Sequence, residues 1–343
     1  MRWTLAIASV AIFVALAGCA DNAPRQLAGV VCQSPPPSHC PDAECPAALI
    51  GDMGNALEPK TQRKFFLDYP CDLKPHEKVT VVLSLHGGGS IGNWTRHYFP
   101  IMDLKEKYRL VIATPSSESR RGWDGNNDDE YLQNVVSYVF DQVGKDNIKA
   151  FWLAGHSQGG MVASRLICTD FYRDKVTGWV SLSGGRAATA RNDIRVQREA
   201  GSGIPVASSP QAGNVPAAPI VIDKGEMPSC EFSNIYESGE HEIPASGFPN
   251  FSRWAEKLQC DARVRRADIV DTKAGYVYDT RELQNRTLEW GGNPAPGTAQ
   301  VYEFPNCKGG RVVADLIRMD KGHTQGLEPN VTEEIVKLMM SAK

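Results

Sequence analysis

The sequence predicts an α/β architecture: a mostly parallel central sheet with helices on both faces. Three observations point there. Short apolar runs of strand length alternate with longer stretches of helical period, the pattern of parallel strands joined by crossover helices. No internal repeat of fixed period competes with that reading. A Gly-x-Ser-x-Gly segment, Gly155 to Gly159, stands directly between one such strand and one such helix. With 343 residues, 42% of them hydrophobic, the chain can bury one sizeable core.

Taken in order, Met1-Arg2-Trp3 precedes an apolar run from Leu5 to Leu16, too short for a finished membrane span but suited to a signal-peptide core. It closes on Leu16-Ala17-Gly18-Cys19, which resembles the lipobox of bacterial lipoproteins. Residues 1–18 are therefore expected to be a signal peptide, with Cys19 carrying a lipid that holds the mature chain to the bacterial envelope, at the outer membrane or cell surface. Residues 19–57, rich in Pro, Ala, Cys and Gly and containing Pro35-Pro36-Pro37, read as a tether. The catalytic domain is expected over 58–343. Its strand candidates are Lys64 to Tyr69, Val79 to Leu85, Leu110 to Thr114, Ala150 to Ala154, Trp179 to Leu182, Phe232 to Tyr236 and Val312 to Met319. Helices are expected over Asp129 to Val143, after an acidic start, and over Met161 to Cys168, after a glycine pair. The glycine- and proline-rich stretch 186–218 reads as an insertion over the sheet edge.

Besides Cys19, the cysteines are Cys32, Cys40, Cys45, Cys71, Cys168, Cys230, Cys260 and Cys307, an even set in an exported chain, so disulfides are expected. Cys260 and Cys307 are the pair expected to join, closing the connection before the last histidine. No Cys-x-x-Cys occurs, and no metal or cofactor is expected. The sequons at Asn93, Asn250, Asn285 and Asn330 read as chance matches beside a bacterial lipobox. A net charge of −3, with Lys and Arg scattered, gives no footprint for nucleic acid.

The chemistry centres on Gly155-His156-Ser157-Gln158-Gly159. A serine nucleophile needs a sharp strand-to-helix turn that thrusts its hydroxyl clear, and flanking glycines remove the side chains that would collide there. Leu85-His86-Gly87-Gly88-Gly89-Ser90 ends an earlier strand, and such a glycine run offers backbone N–H donors to a tetrahedral oxyanion. Gly88 (or its neighbour Gly89) and Gln158 are the expected donors. Only His241 and His323 follow Ser157, and His323, in a turn after the last strand, is the expected base. The acid lies between them, with Asp223, Glu240 and Glu242 as candidates. Glu242 is favoured because the Phe232 to Tyr236 strand and the Ser238-Gly239 turn precede it, whereas Glu240 in the same turn is directed the other way. Trp123 stands either on a pocket wall or over the core edge.

These segments resemble the secreted polyhydroxybutyrate-depolymerase and feruloyl-esterase-like branch of the α/β-hydrolases, from about Phe65 to the C-terminus. The resemblance rests on Leu85 to Gly89, Gly155 to Gly159, Asp128-Asp129 and Gly322-His323-Thr324. It implies an α/β-hydrolase fold and an exported serine esterase without cofactor. It also implies an acid at the position matching Glu242, where a Gly-x-x-Asp pattern becomes Gly-x-x-Glu. The implied substrates are feruloyl, acetyl-sugar or hydroxyalkanoate esters, free or polymer-borne. The length between acid and histidine, and residues 186–218, depart from the family pattern. A peptidase or lactonase on the same scaffold, or an inactive binding lipoprotein, are the alternatives.

Overall fold

Strands buried on both faces are written as nearly continuous apolar runs, and Val79–Leu85 is one, broken by Thr80 and Ser84 alone, with all seven residues buried. The computed structural model describes residues 26–33, 45–46, 53–119, 121–189, 225–243, 245, 248–278 and 290–343. In chain order its large sheet comprises β1 (Ala56–Leu57), β2 (Lys64–Asp68), β3 (Val79–Leu85), β4 (Leu110–Pro115), β5 (Ile148–His156) and β6 (Gly178–Leu182). It continues with β7 (Ser233–Gly239), β8 (Val264–Arg265), β9 (Ile269–Val270), β10 (Thr298–Phe304) and β11 (Val313–Arg318). The spatial order is β8-β10-β11-β7-β6-β5-β3-β4-β2-β1, with β9 also paired to β10. The central run from β11 to β4 is parallel throughout, and antiparallel strands flank it on both sides.

Helices α1 (Gly92–Tyr98), α2 (Gly125–Val143), α3 (Gln158–Leu166), α4 (Arg253–Lys257) and α5 (Pro329–Ser341) complete the elements used below. Side chains that alternate along one strand feed two cores, as a period of two requires. Val81, Leu83, Phe151 and Leu153 pack with Leu132 and Val135 of α2 and Ala163 and Leu166 of α3. Val82, Trp152, Ala154 and Leu182 pack on the other face with Trp94 and Tyr98 of α1 and Ile335 and Met339 of α5. The chain has the α/β-hydrolase-type fold: a mostly parallel sheet covered on both faces, with the C-terminal ends of the parallel strands free to carry loops.

Several elements differ from the sequence reading. Helix α3 begins at Gln158 rather than Met161, because the chain turns into the helix immediately after Ser157 and carries Gly159 and Gly160 inside it. Helix α2 begins at Gly125, where the Asp124 side chain accepts the Asn126 N–H at 3.0 Å. Strand β10, with buried Ala299 and Val301, was not anticipated. Part of the expected tether is fastened to the domain: Ala56–Leu57 joins the sheet edge, and Cys32 is bonded to Cys71. Leu27 N–H also donates to the Tyr69 hydroxyl, and Cys45–Pro46 pairs with Val277–Tyr278. Disulfides Cys168–Cys230 and Cys260–Cys307 are formed as well. The second is the anticipated pair, but it lies where β10 ends and β11 begins, at the opposite end of β11 from the His323 loop. Cys19, Asp223 and residues 190–218 of the expected insertion lie outside the described residues.

Candidate active site

Strand β5 ends at His156, α3 begins at Gln158, and Ser157 alone makes the turn, at φ 51° and ψ −118°. A non-glycine residue held there stores strain of about 1–3 kcal/mol, so the surroundings must impose it. They do. Ser157 N–H donates to Leu182 O of β6 at 2.8 Å. A Cβ on Gly155 would stand 2.3 Å from the Gly159 carbonyl carbon, and one on Gly159 would stand 2.3 Å from Leu85 O. Both glycines of the motif are therefore required by close backbone approach.

The glycine run after β3 lies beside this turn. A Cβ on Gly87 would meet His156 Nδ1 at 2.8 Å and Ser157 Cβ at 3.3 Å. Beneath it, the buried His86 accepts the Ser117 N–H on Nε2 at 2.9 Å, which leaves Nδ1 to donate to Gly87 O at 2.7 Å. Burial pushes the His86 pKa down to about 4, so the ring is a neutral strut. Trp123 is buried; its indole N–H donates to His86 O at 2.7 Å and its ring lies 4.5 Å from the His86 ring. Of its two expected places, Trp123 occupies the core beneath the glycine loop. Gln158 Oε1 accepts the Trp123 backbone N–H at 3.2 Å, in space that a Cβ on Gly122 would fill. Among the described residues, the N–H groups of Gly88 and Gln158 have no hydrogen-bond partner.

The Asp128-Asp129 pair supports this side of the site. Buried Asp128 accepts N–H groups of Glu118 and Asp124 and pairs with Arg63, while Asp129 holds Arg165 of α3. Helix α2 is thereby fixed against the helix that follows Ser157.

His323 follows β11 in a loop held at many points. Its carbonyl accepts the Tyr98 hydroxyl at 3.2 Å and the His156 Nε2–H at 2.9 Å. Burial, and next the neighbouring His323, keep the His156 pKa well below its ordinary value, so His156 is neutral. The His323 ring lies 4.8 Å from that of His156 and 5.1 Å from that of Trp290, which stacks on it at 27°. Trp290 O accepts both the N–H and the hydroxyl of Thr324. Buried Arg318, at the end of β11, donates to Gln325 O and Gly326 O at 2.8 and 2.9 Å and pairs with Glu328 and Glu237.

His323 Nδ1 meets Glu242 Oε1 at 2.5 Å. Glu242 lies in the turn after β7, its N–H bonded to Gly239 O at 3.0 Å. The other carboxylate oxygen accepts the Ser183 hydroxyl at 2.5 Å and the Gly239 N–H at 3.4 Å. Burial alone would raise the Glu242 pKa, but the charge and hydrogen bond of His323, followed by the Ser183 and Gly239 donors, bring it below the usual value. Glu240 turns the other way and accepts the Asp320 N–H at 3.0 Å, while His241 meets exposed Asp320.

The structure thus brings Glu242 onto His323, and His323 onto the residue adjoining Ser157. An imidazole fixed by a carboxylate at one nitrogen can take a proton at the other, and unpaired N–H groups can receive a developing oxyanion. The sequence reading did not single out Ser183, Trp290, Tyr98 or Arg318. Only Ser183 carried a local signal, the Ser-Gly-Gly turn after β6.

No family model matches the chain, and no curated protein matches it. Solved structures with a similar chain path include an acetyl xylan esterase from Aspergillus awamori, 12% identical with a TM-score of 0.45, the match covering 80% of this chain and 93% of that one. A thermophilic esterase of Thermogutta terrifontis with propionate bound is 12% identical, covering 61% of this chain and 75% of that one, with a TM-score of 0.35. A bifunctional GH43-CE protein of Bacteroides eggerthii is 15% identical, covering 55% of this chain and 30% of that one, also at 0.35.

Proposed function

We propose that the chain is a serine carboxylic-ester hydrolase, with Ser157 as nucleophile, His323 as general base and Glu242 as the acid that orients it. The observation that carries this reading is the Glu242–His323 contact at 2.5 Å beside a strained serine turn. In the proposed cycle His323 Nε2 takes the Ser157 proton as Oγ attacks the ester carbonyl, and the oxyanion is received by the N–H groups of Gly88 and Gln158. Collapse expels the alcohol with a proton from His323. Water activated by the same imidazole then hydrolyses the acyl-enzyme.

The substrates proposed are esters of small hydroxy or aromatic acids, feruloyl, acetyl-sugar or hydroxyalkanoate, including polymer-borne ones. This rests on the motif resemblance and on the lack of a long apolar stretch in the sequence of 186–218 that would form a lipase-like lid. Lipid attachment at Cys19 would hold the enzyme to the bacterial envelope. Among the described residues no helix is long and apolar enough to cross a membrane.

Purified full-length protein should be assayed on feruloyl, acetyl-xylose, 3-hydroxybutyrate-oligomer, long-chain triglyceride and aminoacyl-amide substrates. The first three should be turned over fastest, and Ser157→Ala should abolish all turnover. A preference for long acyl chains would overturn the substrate class, and cleavage of amides alone would overturn the esterase reading. Cys19→Ala should move the protein from membrane to soluble fractions; unchanged fractionation would remove the anchor.

A further inference from the structure

Ser183 leaves β6 with a left-handed backbone, φ 54°, a conformation that costs a serine and is ordinarily given to glycine. Glycine is not used at 183, although the next two residues are glycines. The side chain that makes this strain worth holding donates its hydroxyl to Glu242 Oε2 at 2.5 Å. Ser183 N–H is bonded to Glu237 O of β7 at 2.8 Å, so the turn is tied to the strand that delivers the acid. The same turn touches the nucleophile. Leu182 O accepts the Ser157 N–H, and a Cβ on Gly184 would stand 2.8 Å from Ser157 O and 2.7 Å from Gly160 Cα.

We infer that Ser183 is a positioning residue of the active site: its hydroxyl fixes the Glu242 carboxylate while its turn braces the Ser157 backbone, so that acid and nucleophile share one support. This inference rests on the triad proposed above. Glu242 has two oxygens, and a carboxylate free to rotate would present Oε1 to the imidazole only part of the time. Ser183 at 2.5 Å, with Ser238 and Gly239 each at 3.4 Å, holds Oε2, and the torsion that aims Oε1 at His323 Nδ1 follows. The charged and titratable groups facing this pair are His323 and Arg318 from the β11 side, Tyr236 and Glu237 of β7, and Tyr98 of α1. Arg318 is committed to Glu328, Glu237 and two carbonyls, the Tyr98 hydroxyl donates to His323 O, and the Ser238 hydroxyl reaches Oε2 only at 3.4 Å, so Ser183 is the short donor.

The test separates hydrogen bond from backbone strain with two substitutions of opposite character. Ser183→Gly relieves the left-handed residue but removes the donor; Ser183→Thr keeps a hydroxyl but places a β-branched residue where φ is positive. The glycine variant should keep or raise the wild-type Tm. It should lose about tenfold to a hundredfold in kcat with little change in KM, the loss typical of a hydrogen bond to a charged group. Its acidic limb of kcat/KM should move to higher pH, because the undonated carboxylate holds a proton and the imidazolium more tightly. The threonine variant should lose Tm but stay closer to wild type in kcat and pH profile. If activity instead follows Tm, with glycine fully active and the acidic limb unmoved, the positioning role is overturned. Fluorophosphonate labelling of wild-type Ser157 is run alongside. Its absence would overturn the triad itself, whereas labelling with an indifferent Ser183→Gly would overturn only this inference.

Discussion

Replacing Glu242 by glutamine removes one charge and no volume, and the surroundings determine how that amide must sit. Four donors address the carboxylate: His323 Nδ1–H on Oε1, and Ser183 Oγ–H with the more distant Ser238 Oγ–H and Gly239 N–H on Oε2. A glutamine has one acceptor oxygen and one NH2. The Ser183 hydroxyl can reverse and accept, but the Gly239 N–H cannot. Turning the amide oxygen toward Gly239 and Ser183 satisfies both and leaves NH2 facing the imidazole. His323 must then offer a lone pair at Nδ1, which moves its proton to Nε2, the nitrogen that should accept from Ser157. The variant is thus biased toward the wrong tautomer and also loses the carboxylate that stabilises the imidazolium. Loss of the acid in a serine triad costs about 10⁴ in kcat, or about 5 kcal/mol. Glu242→Gln should lower kcat on a chromogenic acetate ester by about 10³ to 10⁴, with KM and Tm little changed. Glu242→Asp should also fall, because a carboxylate shortened by one methylene cannot span to a ring now 2.5 Å away without moving the turn. A glutamine variant within tenfold of wild type would refute the assignment of the acid, and with it the inference on Ser183.

Burial, opposed by Arg318, pushes the Glu237 pKa up to about 7, against roughly 4.3 in an unfolded chain. The folded state therefore binds the proton more tightly. The stability this contributes is complete below pH ~4 and is lost as pH rises through about 7, an order-of-magnitude change of ~4 kcal/mol. Urea unfolding at pH 5 and at pH 8 should show wild type losing ground to Glu237→Gln at the higher pH; a gap that does not change would contradict this. Replacing Cys260 and Cys307 together by serine opens a loop of sequence separation 47, worth up to about 4 kcal/mol in chain entropy. Because the bond lies at the opposite end of β11 from His323, Tm should fall while kcat per folded molecule holds, and a parallel loss of kcat at temperatures well below Tm would be inconsistent with that placement.

What was legible in the sequence was what short-range chemistry dictates. Gly155 and Gly159 cannot be other residues without striking backbone, so the strand-to-helix turn at Ser157 was written within five residues. Val79–Leu85 and the core of β5 were readable because doubly buried strands leave no alternation to confuse them. Glu242 and His323 could be selected because each follows a strand through a glycine-bearing turn. Less legible were residues whose roles depend on distant partners. A buried Arg318 runs against the ordinary exposure of arginine; Glu237, 81 positions earlier, Glu328, ten later, and the carbonyls of Gln325 and Gly326 make it tolerable. Trp290 meets His323 through the path of the fold, and no local period announces it. Strand β10, which follows a glycine- and proline-rich stretch at 291–297, is half-exposed, with the apolar run broken by Gln300 and Glu303. Trp123 shows the same limit, since the sequence left pocket wall and core edge equally open and the His86 carbonyl decides.

Whether Ser157 is a nucleophile activated by His323 is decided by exposing folded full-length protein to a fluorophosphonate and locating the adduct by peptide mass spectrometry. One adduct per chain is expected, on Ser157, formed rapidly in wild type, slowed by orders of magnitude in His323→Ala, and absent from urea-unfolded protein. Folded protein that takes no label, or takes it on another serine, would contradict it.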